Sequence, residues 1–196
     1  MRLCKWIIRR IWAIGPWMYV KLLGWIFYEK KYLKGKWFSD GICSLGWIWA
    51  ARDIHSRIHT LRNIHIKWPV SPDIIVGKNI EIDPDDINNM QGYGCYFQTI
   101  DGKIVIGKGS YIAVNVGIIT TNHDINNIDK HVSGKDVIIG KKCWIGMNSV
   151  ILPGVILGNN TIVGAGSVVT KSFPEGHCLI AGNPAKKIKD LEENRG

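Results

Sequence analysis

The stretch "ITTNHDINN" sets His123 among asparagines. An imidazole changes charge near neutral pH, so this side chain could take up and return a proton. A solitary loop histidine is ordinarily a solvated surface group, so its place in the chain must decide. The other histidines carry less. His55 and His59 stand at i, i+4 without a carboxylate or third histidine at metal spacing, and His65, His131 and His177 have no supporting pattern, so no metal site is assigned. Cysteines at 4, 43, 95, 143 and 178 are odd in number and widely spaced, which suits a reducing cytoplasm better than a disulfide or zinc framework. The run Gly164-Ala165-Gly166 lacks the strand-to-helix setting and the lysine of a phosphate loop.

The elements that must position these groups follow from a repeat. Ile139, Ile145, Ile151, Leu157, Val163 and Val169 recur at every sixth residue. Neither a helix nor an alternating strand produces that step. The next position holds Gly140, Gly146, Leu152, Gly158, Gly164 and Thr170, and four places on stand Cys143, Ser149, Val155, Thr161 and Ser167. Size is therefore controlled within each repeat. Short flat strands turning at fixed corners, with one aliphatic per strand pointing inward, form an all-β solenoid of hexapeptide repeats. Cys143 then reads as an inert packed thiol. The count extends back through Ile118, Ile112, Ile106, Ile100, Ile82 and Val76, while Asn88 and Gly94 keep the phase and lose the chemistry, so "INNMQGYGCYF" reads as a distorted coil or a bulge. From Ile118 to Ile139 the interval is 21 residues, not a multiple of six. A loop at about 120–137 must leave the coil there, and it carries His123. Long loops on a regular scaffold are where function concentrates.

The formal charge of +9 is uneven: residues 1–69 hold 13 Lys and Arg against 3 Asp and Glu, together with eight of the nine tryptophans. Leu3, Ile7, Ile11 and Ile14 share one helical face opposite Arg2, Lys5 and Arg9, until Pro16 interrupts. Arg9, Arg10 and Lys21 break any signal-peptide pattern. The uncharged windows Ile11–Val20 and Gly41–Ala51 are far short of the roughly 20 residues a spanning helix needs. Segment 1–69 therefore reads as a peripheral element for an anionic membrane surface, with capping of the solenoid as the alternative. Long aliphatic runs among its aromatics argue against nucleic acid. The expected location is cytoplasmic, at the inner face of the plasma membrane.

"NVGIITTNHD", "WIGMNSVILPGVILGNNTIVGAGSVVTKSFP" and "AGNPAKKI" resemble the left-handed β-helix acyltransferases, in the branch of sugar and polysaccharide O-acetyltransferases. The resemblance covers roughly residues 70–190. It implies a left-handed parallel β-helix over 70–185, a basic tail over 186–196, a homotrimer, and acetyl-CoA in the groove between neighbouring copies. By position, His123 matches the catalytic base and Asn115 a contact to the acceptor sugar, although an asparagine also suits a corner with unusual backbone angles. Gly146, Met147 and Ala165 match backbone positions along the pantetheine groove, and Thr170 and Lys171 a later cofactor contact. Lys186 and Lys189 fall where relatives place arginines near the phosphates, as point charges without a bidentate fork.

The chemistry fits the residue types. A sugar hydroxyl is a poor nucleophile at neutral pH, so attack on a thioester benefits from a positioned imidazole. The oxyanion then needs a donor, for which the backbone N–H of Gly146 is the candidate. The expected activity is acetyl-CoA-dependent O-acetylation of a bacterial surface polysaccharide or its lipid-linked precursor. Relatives acting on small free sugars begin with a different N-terminal extension, which argues against a mono- or disaccharide acceptor. N-acetylation of a nucleotide-linked amino sugar and a non-catalytic membrane-bound scaffold are the alternatives.

Overall fold

The computed structural model describes residues 17–38 and 44–192, in two compact units, Met1–Pro72 and Asp73–Gly196. The stretch Leu3 to Ile14, with its expected amphipathic helix, lies outside the described residues, as do Cys4 and Cys43.

In the first unit residues 17–27 form helix α1 and Leu45–Thr60 form helix α2, with a 3-10 turn, Lys30–Leu33, between them. Trp17, Tyr28, Leu33, Trp47, Ala50 and Ile54 make the core. At one side of it lies a desolvated ion pair, Arg57 Nη2 to Asp53 Oδ2 at 2.8 Å. Asp53 Oδ2 also accepts from the Tyr28 hydroxyl at 2.9 Å and from Val70 N at 3.0 Å. The guanidinium donates further to the carbonyls of Ile66 and Trp68 at 2.9 and 3.1 Å. Asp53 Oδ1 is buried without a hydrogen-bond partner among the described residues, so the pair is not fully satisfied, and removing either partner would strand a buried charge at a cost of about 3–5 kcal/mol. Here the pair ties the irregular segment 66–70 to α2.

The second unit is built from three sheets of very short strands. Sheet one holds β1 (Ile75–Val76), β3 (Tyr96–Gln98), β6 (Gly117–Ile119), β11 (Val150–Ile151) and β14 (Val168–Val169). Sheet two holds β2 (Ile80–Ile82), β4 (Ile104–Ile106), β9 (Val137–Ile139) and β12 (Ile156–Leu157). Sheet three holds β5 (Tyr111–Ile112), β10 (Trp144–Ile145), β13 (Ile162–Val163), β15 (Cys178–Gly182) and β16 (Ala185–Asp190). The chain visits the sheets in rotation, laying one parallel strand in each per coil. The six-residue step leaves two or three residues for each strand and the rest for a bend. Register stacks like on like: Ile139 on Leu157, Ile145 on Val163, Ile151 on Val169, all buried.

One coil differs from the backward count. Phe97, fully buried, stacks between Val76 and Ile118, whereas Ile100 is 46% exposed at a bend and Ile112 is only half-buried. Ile82 pairs with Ile106, 24 residues on, against 18 between Ile139 and Leu157. The surplus is one whole repeat, so it preserved the phase while moving the inward position. Half of it lies in the 3-10 helix Pro84–Met90, which stands where the first coil would place a strand of sheet three. There Asn89 accepts from Ile112 N at 2.8 Å and donates to Ser110 O at 2.9 Å, and Asp86 accepts from Gly109 N at 2.7 Å. Side chains thus cover the edge of β5 that a strand would otherwise pair.

Of the stretch 186–196, expected as a basic tail, residues 186–190 instead belong to a strand. The chain reverses at Asn183-Pro184, and β16 pairs antiparallel with β15, with Ala185 buried. Its composition hides this, since only Ala185 and Ile188 are apolar and the pairing is a backbone matter. Residues 193–196 lie outside the described residues.

Candidate functional site

Where β6 ends, the chain leaves the coils as a hairpin of β7 (His123–Asp124) and β8 (Asn127–His131) before re-entering at β9. Its base is pinned by the bend at 99–103, the other half of the surplus that displaced Ile100. Thr120 Oγ1 donates to Ile100 O at 2.9 Å, and Asp101 Oδ2 accepts from Gly134 N at 3.1 Å. A Cβ at Gly134 would fall 1.9 Å from Asp101 O, so only glycine fits. Gln98 Oε1 accepts from the backbone of Thr120 and Thr121 at 2.9 and 3.2 Å. The hairpin thus rises from a rigid seat.

On it, His123 is exposed, with Nδ1 2.6 Å from Ile128 O. A carbonyl can only accept, so Nδ1 carries the hydrogen and the neutral ring keeps its lone pair at Nε2. The ring of His131 lies alongside at 4.3 Å between centroids and 34° between planes. Neither Ile128 nor His131 was singled out by sequence. Their signal was the hairpin, since β7 pairs His123 with His131 directly.

The other expected residues divide by edge. Asn115, with φ 57°, sits in the left-handed region at the bend from sheet three to sheet one, its amide against Gly94. Gly146, Met147 and Ala165 follow along the same bend in the next two coils: Asn148 N donates to Val114 O, and Gly166 N to Met147 O. A Cβ on Gly146 would come within 2.6 Å of Ala165 N, so the coils close tightly there. The N–H of Gly146 is already donated to Val163 O at 2.8 Å and is not available to an oxyanion. Met147 and Ala165 are exposed, and neither N–H has a partner among the described residues. Those amides, not Gly146, are the open donors.

Thr170 and Lys171, both exposed, follow β14 and lie at the bend from sheet one to sheet two, the bend from which the hairpin departs. Lys186 pairs with Ala181, whose Cβ would meet one added at Gly164 at 2.9 Å, which puts this lysine next to the small-residue bend. Lys189 pairs with Leu179 on the same strand, and Lys187 is tied to Asp190. Cys143 is buried, and desolvation pushes its thiol up from the ordinary range, which disfavours a thiolate nucleophile. No group of three or more His, Cys, Asp or Glu among the described residues could hold a metal ion.

Residues 136–171 match the family described as bacterial transferase hexapeptide (six repeats). A maltose O-acetyltransferase from Clostridium difficile 630 is 30% identical, with 92% of this chain and 89% of that one covered and a TM-score of 0.50. Two curated proteins bearing the name "Putative acetyltransferase" are similar. One, from Staphylococcus aureus (strain Mu50), is 32% identical over 69% of this chain and 66% of its own length. The other, from Saccharomyces cerevisiae, is 42% identical over 48% and 50%. The chain thus spans about half to two thirds of the length of these curated relatives.

Proposed function

The chain belongs to the hexapeptide-repeat transferase family, and from that premise we propose that it transfers an acetyl group from acetyl-CoA to a hydroxyl of a carbohydrate. The observation that carries the reading is the hydrogen bond from His123 Nδ1 to Ile128 O, which presents a bare Nε2 on an exposed, rigidly seated hairpin. Acetyl-CoA supplies the activated acyl carbon. His123 Nε2 takes the proton of the attacking hydroxyl and returns it to the departing thiolate, so one imidazole serves both halves of the transfer. Hydroxyl and carbonyl are held in position by the site, and an oxyanion calls for donors that the protein has not already used.

The donor fits the bend at Met147 and Ala165. Unspent amides one coil apart suit an extended ligand carrying its own amides, and the bare Gly146 between them lets it approach. Lys186 and Lys189 on β16 suit the phosphates at its far end. His123 leaves at one edge of sheet one, whereas Met147 and Ala165 line the other. That separation within a chain supports a homotrimer of left-handed β-helices, in which the hairpin of one copy closes on the bend of the next.

In its narrower form the proposal takes as acceptor a bacterial surface polysaccharide or its lipid-linked precursor. The alignment to a maltose O-acetyltransferase extends over 92% of this chain, so the N-terminal segment no longer argues against a free disaccharide. Thiol release from acetyl-CoA, measured with maltose, with polysaccharide repeat units and with amino sugars, tests both levels. Release that requires a hydroxyl-bearing carbohydrate supports O-acetylation. Release only with amino acceptors, or with none, overturns it.

A further inference from the structure

Helix α1 has two apolar faces, and the core uses one. Trp17 and Gly24 are buried, with Val20, Leu23 and Phe27 half-buried against the cluster around Trp47, Ala50 and Ile54. On the opposite side Met18, Leu22, Trp25 and Ile26, at i, i+4, i+7 and i+8, are 67, 58, 65 and 69% exposed. Single exposed apolar residues need no explanation, but a continuous stripe does. A helix apolar all round belongs in a core or against lipid.

The surroundings say which. Residues 17–38 hold five lysines and one acid, Glu29. Lys31 is paired with Glu29 at 3.2 Å, whereas no ion pair among the described residues engages Lys30 or Lys34. Beside the stripe, Trp25, Lys30, Leu33 and Lys34 line a cleft of about 280 Å³, an apolar floor with two ammonium groups. Lys21 stands at the boundary between the faces, its Nζ 4.9 Å from the Trp17 ring and 5.7 Å from that of Trp47.

We infer that the Met18, Leu22, Trp25 and Ile26 stripe, with Lys30 and Lys34, is a docking surface for an anionic lipid bilayer. Helix α1 lies in the membrane plane with these side chains below the headgroups, and the two lysines reach lipid phosphates through the cleft. No helix among the described residues is long and apolar enough to cross a membrane, so the contact is with one leaflet. A second copy is a poor occupant, since an isologous contact would bring the lysines around the stripe face to face with their own kind. A polynucleotide would satisfy the lysines and leave Met18, Leu22 and Ile26 in water. The sequence points the whole segment 1–69 at a membrane; the structure names the face. The inference does not depend on the acetyl-transfer reading.

The test is cosedimentation of the full chain with vesicles of phosphatidylcholine alone or mixed with phosphatidylglycerol. Binding is expected only to the anionic vesicles and should weaken as salt is raised. Leu22→Glu with Ile26→Glu should abolish it without shifting the thermal midpoint, since both residues are exposed. Lys30→Glu with Lys34→Glu should lower the partition constant by at least about tenfold, at roughly 1 kcal/mol per basic residue near an anionic surface. Equal binding to neutral and anionic vesicles, or unaltered binding by either double variant, overturns the inference. Concentration-dependent self-association abolished by the glutamate pair, without vesicle binding, overturns it too and assigns the face to a second copy.

Discussion

His123 and His131 face each other across the hairpin with ring centroids 4.3 Å apart, directly paired between β7 and β8. Two contacts thus hold the His123 ring: the Ile128 carbonyl fixes its tautomer and edge, and His131 covers one face. Under the proposed acetyl transfer, His131 acts through His123, as a positioning residue.

His131→Phe keeps a ring in place and should leave kcat within about threefold of the parent. His131→Ala uncovers the imidazole and should lower kcat roughly tenfold, because a small misplacement of a reacting group is costly. The KM for acetyl-CoA should not change in either, and unaltered circular dichroism would confirm that the hairpin loss is local. Equal activity in all three proteins removes the positioning role.

Lys186→Ala combined with Lys189→Ala should raise the KM for acetyl-CoA while kcat falls little. Contacts to remote phosphates bind ground and transition states alike, and their loss shows in KM. Both residues are exposed on β16, so folding should survive. Steady-state kinetics with varied acetyl-CoA checks this, and an unchanged KM would move the phosphates elsewhere.

Gly146→Ala should destabilise the protein by about 1–3 kcal/mol, the usual cost of overpacking. The new Cβ would meet the backbone of Val163 and Ala165 at 2.6–2.9 Å, and backbone cannot swing aside as a side-chain tip can. The same shift moves the Ala165 amide, so the KM for acetyl-CoA should rise as well. Denaturant titration and kinetics on one preparation test the two halves together.

What the sequence revealed and what it hid have the same origin. From Ile139 to Val169 every inward position obeys the six-residue step, because nothing interrupts the coils, and the strands there follow it. The broken interval after Ile118 likewise located the hairpin. The period is blind to a surplus of one full repeat, which is why Ile100 stood in for Phe97. It is blind also to backbone pairing, so β16 passed for a tail and the spent N–H of Gly146 looked free. His131 lay beyond it because strand pairing inside the hairpin obeys a local register of its own.

The account turns on the bare Nε2 of His123, which takes up the acceptor's proton, and the turnover of His123→Ala tests it most directly. With a competent carbohydrate acceptor, kcat should fall by at least roughly 10², the contribution expected of a positioned general base. Acetyl-CoA binding, measured by calorimetry on the same protein, should stay within about twofold, because the contacts proposed for it are the Met147 and Ala165 amides with Lys186 and Lys189, not the imidazole. Near-parental turnover in the variant would contradict the account.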